Sequence, residues 1–543
     1  MKKQFTLLMT LALLHMTKAQ TPTFSLLKDI NPTGASTSGN RDFTDYNGKM
    51  YFVATDGVHG GELWVTNGTT AGTQLVKDIN AGSADSNPDY FVVCNGKMYF
   101  NANDGIHGSE LWTSDGTAAG THLVKDIKVG YNDSYPTQLT VMNNKIYFSA
   151  DDSVHAIEPW VSDGTTAGTQ LILDINQDMS YQNSFPGYFT AYNNKIYFQA
   201  NDQIHGTELW VTDGTGGGTI LLKDINTTSS SSGSDPMEFC LFNSKLFFKA
   251  DASNSGNEGE LWMTDGTTGG TVLVKNIYPA GDAQSEHLRV LNGKLYFMAI
   301  DGVNGQELWT SDGTTAGTVL LKDINPGSGS SHGDLFTLFK NKLYFQADDG
   351  TNGNELWVTD GTAGGTVLLK DINAGVGDSY PAYFTPFGSR LFFKANSDLW
   401  VTNGTAIGTF SLAPTSANSD GLGCAASFCT LDSSIYFNAD YDTHNCEVWK
   451  LDTAATVGIR SYTENKYNVT VYPNPSNGIF NLQVSENQNV HIEVYNSLGQ
   501  LILFKNAELN ITQLNIRDFM DGIYNIRVLK NNEPVYQTKI LKE

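Results

Sequence analysis

Long apolar runs are what this 543-residue sequence lacks most clearly. Beyond residues 5–14, nothing approaches the roughly eighteen apolar residues that a membrane-spanning helix requires, which excludes a helical membrane protein. Basic residues are scarce too, with 33 Lys and Arg against 57 Asp and Glu. The first 19 residues hold three bases and no acid, and residues 466–543 hold seven of each, so residues 20–465 carry 23 bases and 50 acids, a net of −27. A surface that acidic repels phosphate backbones and makes nucleic acid and anionic lipid poor partner candidates, with cations and neutral polymers better ones. Proline is sparse at 15 against 54 glycines, while 28 Phe and 24 Tyr point to many short strands joined by tight turns rather than long helices. No GxSxG, HExxH or phosphate-cradling loop occurs, which removes enzymes with a local signature but not those that gather residues from several strands.

Cysteine is rare as well, at five residues. Cys94 and Cys240 lie in apolar strand-like runs and read as buried thiols, whereas Cys424, Cys429 and Cys446 cluster, so that one pair there could form a staple. The sequence does not choose the pair. Residues 1–19 read as a secretory signal, with Lys2 and Lys3 ahead of a short apolar run and Ala19 before Gln20. The mature chain is therefore expected to be exported, where disulfides persist.

What is abundant is repetition. All nine tryptophans, Trp64, Trp112, Trp160, Trp210, Trp262, Trp309, Trp357, Trp400 and Trp449, fall in one motif, 43 to 52 residues apart. A unit taken from residue 75 reads LVKDI, a variable Gly/Ser/Asp stretch, YFVVC-NG-KMYFNA, DGIHG, ELWTS and DGTAAGT. It offers four strands of about five residues. Asn47-Gly48, Asn95-Gly96 and Asn292-Gly293 supply the positive φ that a two-residue hairpin needs at both central positions. Strands such as KMYF are apolar on both faces, as expected where neighbouring sheets cover them. Four-stranded units of this period predict a β-propeller of about nine blades, with eight blades or two smaller rings as alternatives because nine exceeds the usual four to eight. An LLKDI strand at residues 26–30 precedes any unit and none follows Trp449, so the N-terminal strand is expected to complete the last blade.

The repeat, as in Glu208-Leu209-Trp210-Val211-Thr212-Asp213-Gly214-Thr215, resembles the ELWxxDGT repeat family of exported bacterial proteins, a name that implies no reaction. The expected organisation is a signal at 1–19, the propeller at 20–453, a linker at 454–465 and a further domain at 466–543. That last segment resembles the C-terminal sorting domain of type IX secretion through Tyr472-Pro473-Asn474-Pro475, Gly478, Phe480, Asn496, Gly499, Gly522-Ile523-Tyr524 and the basic Lys539 and Lys542. It reads as a small β-sandwich. The resemblance implies the type IX machinery as a partner, passage across the outer membrane, removal of the domain, and either release or attachment at the cell surface.

Candidate chemistry is repetitive. The tryptophans are expected to fill the wedges between blades rather than stack on sugar. Glu62, Glu110, Glu158, Glu208, Glu260, Glu307, Glu355 and Glu447 precede them, and Lys77, Lys125 and Lys223 lie across the following hairpins. A glycosidase needs two carboxylates, but a catalytic pair is unique, so cross-strand ion pairing or backbone capping is the preferred reading. His59, His107, His155 and His205 share one turn, where Asn304 and Asn352 stand in later units; a turn role is preferred to a converging metal site. No cofactor is expected, with calcium on the Asp-rich turns the alternative although DxDxDG spacing is absent. The expected function is non-enzymatic binding of a glycan or surface protein through propeller loops, with residues 227–235 and 411–428 the outliers. A secreted polysaccharide hydrolase or lyase on the same ring is the alternative.

Overall fold

The computed structural model describes residues 23–36, 43–177, 183–228, 232–252, 259–412, 421–422, 424, 428–442 and 444–452 of one unit. Of a second unit it describes 469–484, 490–495, 501–507, 511–517, 519, 522–530 and 533–542. The signal, the linker, Asn496 and Gly499 lie outside them, as do parts of both outlier loops. The chain divides into Thr23–Asp452 and a unit that includes Thr453–Glu543.

The first unit consists of nine four-stranded antiparallel sheets in chain order. Blade 2 is representative, with strands Asp89–Cys94, Lys97–Asn103, Ser109–Ser114 and His122–Lys125, each paired to the next. Its first hairpin turns on Asn95 at φ 51° and Gly96 at φ 70°, the mirror-image turn that matches strand twist. Elsewhere Asn143-Asn144 and Asn193-Asn194 adopt the same pair of positive φ values, because asparagine tolerates that region. The second hairpin explains DGTxxGT. Asp115 Oδ1 accepts from Thr117 N at 2.9 Å and Thr117 Oγ1 at 2.7 Å, while the Ser114 and Thr121 hydroxyls meet at 2.7 Å. A side chain on Gly120 would collide with the Asp115 carboxylate, so only glycine fits there.

Each core lies between blades rather than within one. Between blades 1 and 2, Tyr51, Leu63 and Val76 pack against Met98, Phe100 and Trp112, all buried. Equivalent clusters occupy the other boundaries, including blades 8 to 9 and blades 9 to 1, among the described residues. The cluster of Leu431, Tyr436 and Val448 with Met50, Phe52 and Trp64 joins the last blade to the first, so the sheets form one closed propeller of nine blades. Eight of the tryptophans are 4–7% exposed and Trp400 is half-buried. Truncating such a ring costs ~3–5 kcal/mol.

Closure is made by Thr23–Leu26, which pairs antiparallel with Glu447–Asp452, Thr23 opposite Asp452 and Leu26 opposite Trp449. The strand thus lies three residues earlier than residues 26–30. Leu27, whose N–H donates to Val448 O at 3.0 Å, and Ile30 enter the core between blades 9 and 1, as Val76 and Ile79 enter the core between blades 1 and 2. The disulfide joins Cys424 to Cys446, leaving Cys94 buried and Cys240 and Cys429 half-buried as free thiols.

The second unit holds a three-stranded and a four-stranded sheet. Its core includes Phe480, Leu482, Ile492, Leu514 and Ile526, each 0% exposed, with Tyr524 at 5%. The only helix among the described residues is a three-residue turn, Gly216–Gly218. None is long and apolar enough to cross a membrane.

Candidate functional site

The glutamates before the tryptophans are anchors for the crossovers between blades. Glu62 is 0% exposed, and its Oε2 accepts from Ile79 N at 2.8 Å and Ser86 Oγ at 2.6 Å. Its Oε1 accepts from Asn80 N at 3.2 Å and Ser86 N at 3.1 Å. One carboxylate therefore satisfies donors of a loop that has no sheet partner. Glu110, Glu158, Glu208, Glu307 and Glu355 repeat the arrangement. At Glu260 the Ile277 and Tyr278 N–H groups remain although Ala283 stands in place of the serine. Glu447 holds the N-terminal segment through Ile30 N, Asn31 N and Ser36 Oγ. Burial pushes the carboxyls up, to about 7 for Glu110, Glu208 and Glu307 and about 8 for Glu158, against the opposing pull of these donors.

Cross-strand pairing with lysine does not occur at these positions. Lys77 Nζ donates to Thr121 O at 2.7 Å and sits 5.8 Å from the centre of the Trp112 ring in the next blade. Lys125 does the same with Thr169 and Trp160, and Lys28 with Thr73 and Trp64. Lys77 is in register with Leu63, so its stem lies on the face turned toward blade 2, opposite the face that carries Glu62.

Each histidine of the shared turn is held by its own loop. His59, His107, His155 and His205 Nδ1 lie 2.7–2.9 Å from the Asp three residues earlier, whose other oxygen accepts the His N–H. Asn304 and Asn352 make the equivalent bond through Nδ2. The carboxylate raises each imidazole pKa. Among the described residues, no three His, Cys, Asp or Glu side chains form a cluster that could hold a metal ion.

The innermost strands carry a feature that the sequence did not announce. Each of seven has a bulge, and the residue within it takes left-handed backbone: Tyr90, Gln138, Tyr188, Glu238, His287, Leu335 and Tyr383, at φ 56–61°. Three residues earlier Asn87, Tyr135, Phe185, Asp235, Gln284, His332 and Tyr380 do the same, at φ 44–48°. Such backbone costs about 1–2 kcal/mol for most residues and nearly nothing for glycine, yet glycine occupies neither position. Identity varies here while conformation does not. The signal was present in the sequence as a hypervariable place beside the invariant Phe or Leu of the inner strand, but its meaning depends on φ.

An open cavity of about 360 Å³ lies against the inner strands of blades 3 to 6. Gln138, Thr140, Tyr188, Thr190, Glu238 and Arg289 supply its polar lining, and Leu139, Phe189 and Phe239 its apolar part. Side chains of one blade cap backbone groups of the next: Gln138 Oε1 accepts from Tyr188 N, Thr140 Oγ1 donates to Phe189 O at 3.1 Å, and Glu238 Oε2 accepts from His287 N at 3.2 Å. Arg289 donates through Nε to Phe336 O at 3.3 Å and through Nη1 to Leu288 O at 2.9 Å.

In the second unit the Tyr-Pro-Asn-Pro segment, Tyr472 to Pro475, is tied to the final strand. Asn474 Oδ1 accepts from Leu541 N at 2.7 Å, and Ser476 N donates to Leu541 O at 3.0 Å. Gly478 has φ 94°, and a side chain there would meet Arg517 backbone, so glycine is required. Lys542 donates to Phe519 O at 2.7 Å. Residues 470–543 match the family of secretion system C-terminal sorting domains. The chain carries a type IX sorting tail. Such a tail marks an exported protein handled by the type IX machinery. No curated protein matches the sequence. Among solved structures, PorZ, an essential surface component of the type IX secretion system of Porphyromonas gingivalis, is similar at 12% identity and TM-score 0.32, covering 92% of this chain and 75% of that one. A puromycin hydrolase (12%, TM-score 0.34) and a pair of prolyl endopeptidases (12%, TM-score 0.37) are matched over 70% and 65% of this chain. This chain spans only 60% and 55% of those hydrolases.

Proposed function

We propose that the ring is a non-catalytic binding scaffold, displayed at or released from the cell surface, that captures a glycan or protein at the mouth of its axis and through its variable loops. The observation that carries this reading is the division of labour among side chains. The recurring carboxylates and histidines from which a hydrolase would draw its acid and base are engaged with crossovers and turns. The side chains that vary from blade to blade stand at the axis instead. The sorting tail supports export, and loss of the tail after passage across the outer membrane would leave the ring outside the cell.

One group of residues favours a second reading. His287 Nδ1 lies 3.2 Å from Asp334 Oδ1, and its backbone N–H is bonded to Glu238, on inner strands of neighbouring blades. A hydrolase or lyase would need such a cluster. The discriminating experiment measures binding and product release together, with the mature full chain against a polysaccharide panel and surface-protein extracts. Binding without release of reducing or unsaturated ends is expected. Turnover abolished by Glu238→Gln would replace this reading with the enzymatic one. Deleting residues 466–543 is expected to trap the protein in the periplasm.

A further inference from the structure

We propose that the cavity against blades 3 to 6 is a subsite for a neutral, hydroxyl-rich sugar chain. This rests on the binding-scaffold reading and names the chemistry of its ligand.

Charge comes first. The cavity sets one carboxylate, Glu238, and one guanidinium, Arg289, into a ring whose sequence is net −27, so it is locally balanced in a strongly acidic molecule. A polyanion would be repelled on approach, and a polycation would be attracted to the whole surface rather than to this place. Neither describes the lining. What the lining offers is an aromatic face on Tyr188, 43% exposed, beside amide, hydroxyl and carboxylate groups from Gln138, Thr140, Thr190 and Glu238. An apolar face ringed by mixed donors and acceptors suits a pyranose, which has apolar C–H faces and a hydroxyl periphery.

The blade edges argue against a peptide. A peptide strand added to an inner edge would need free backbone N–H and C=O groups. Here Tyr188 N, Phe189 O, His287 N and Phe336 O are already bonded to side chains of the preceding blade. Three residues of the lining, Gln138, Tyr188 and Glu238, are held in left-handed backbone at φ 56–59°, where glycine would be more comfortable. The same backbone recurs at Tyr90, Leu335 and Tyr383 outside the cavity, so what distinguishes the lining is the polar and aromatic identity of the side chains it carries there.

Glycine keeps the left-handed backbone at all three lining positions, but Gln138→Gly and Glu238→Gly also remove the caps on Tyr188 N and His287 N, so Tyr188→Gly is the variant that separates contact from stability. The mature full chain and its Tyr188→Gly, Gln138→Gly and Glu238→Gly variants are titrated calorimetrically with neutral oligosaccharides: β-1,4-linked glucose, mannose and N-acetylglucosamine oligomers and an α-1,4-glucan. Polygalacturonate and oligolysine serve as charged controls, and thermal melts run alongside. The expected result is saturable binding of at least one neutral oligomer, weakened at least tenfold in Tyr188→Gly and Glu238→Gly, with the melting temperature of Tyr188→Gly equal to or above that of the unchanged chain. No binding of any neutral oligomer, or binding indifferent to all three substitutions, overturns the inference. A chain that captures a surface protein but no glycan leaves the scaffold reading standing and this one fallen, whereas cleavage of a bound oligomer defeats the scaffold reading itself.

Discussion

Between blades 2 and 3 the crossover is held by Glu110, fully buried and bonded to Ile127 N, Lys128 N and Ser134 Oγ. Between blades 8 and 9 the half-buried Asp398 stands in that position, and the crossover is joined instead to blade 9 by the Cys424–Cys446 disulfide. The blade 8 turn still receives the crossover through Leu422 N on Ser397 O at 2.6 Å, and Gly421 O accepts from Asp440 N at 2.8 Å. Those bonds parallel the ones that Ser86 makes with Gly61 and Asn103. What changes is the tie. A carboxylate one methylene shorter, on a strand entered by a two-residue turn, leaves the crossover to a covalent link. The comparison teaches that the recurring glutamate is a mechanical part, replaceable by a bond of a different kind, and not a reagent.

Cys446 sits where both unusual crossovers meet. Its sulfur binds the blade 8 to 9 segment, and its carbonyl accepts from Ser36 N at 3.1 Å, in the N-terminal segment that Glu447 anchors. The seam is therefore closed by one strand and one carboxylate, with the disulfide of the neighbouring crossover attached a residue away at Cys446.

Breaking the carboxylate tie at the seam should have the largest effect. Deleting residues 23–31 removes the closing strand and the Ile30 and Asn31 donors of Glu447, leaving a buried carboxylate with Ser36 alone. We expect a loss on the order of 5 kcal/mol, read as a collapse of the cooperative urea transition followed by tryptophan fluorescence. Next comes the covalent tie. Replacing Cys424 and Cys446 together by serine should cost ~2–4 kcal/mol, and reduction of the unchanged protein should lower the urea midpoint to the same value. An ordinary anchor ranks third. Glu208→Ala strands several buried donors and should cost about 3 kcal/mol, with Glu208→Gln costing less because it keeps one acceptor. Asp398→Ala should be the mildest, within about 1 kcal/mol, since the disulfide carries that crossover. A cost equal to that of Glu208→Ala would show that the two crossovers are not held differently.

Much of this was legible in residue patterns. Trp spacing, Asn-Gly turns and the orphan segment at each end pointed to about nine blades closed by the N-terminus, with eight blades or two smaller rings left open, because propeller closure is a matter of counting strands. The closing strand begins at Thr23, ahead of the LLKDI segment, while Lys28 and Ile30 do what Lys77 and Ile79 do in the LVKDI of the next unit. For the glutamates, cross-strand pairing or backbone capping was expected, and the capped groups are backbone N–H groups 17 and 18 residues on together with a serine hydroxyl such as Ser86, which spacing alone did not single out. The choice of Cys446 as partner of Cys424 over Cys429 likewise needed geometry: Cys429 lies on an inner strand, half-buried, its thiol pushed up to about 11 by burial. Least legible was the axial site, where the informative quantity is a dihedral angle repeated under changing side chains.

The most direct test of the anchoring account is the pH dependence of unfolding with and without one anchor. In the fold, burial raises the Glu158 carboxyl from its ordinary 4.5 to about 8. Its contribution to stability is therefore fully present below the unfolded pKa and is lost as pH rises through the folded one, on the order of 1.4 kcal/mol per pH unit at most. Urea unfolding from pH 5 to pH 8 should show a midpoint that falls with rising pH, and Glu158→Gln should flatten that fall while lowering the midpoint at pH 5. A slope unchanged by the substitution would contradict the claim that burial dominates the titration of Glu158, and an unchanged midpoint at pH 5 would contradict its role as an anchor.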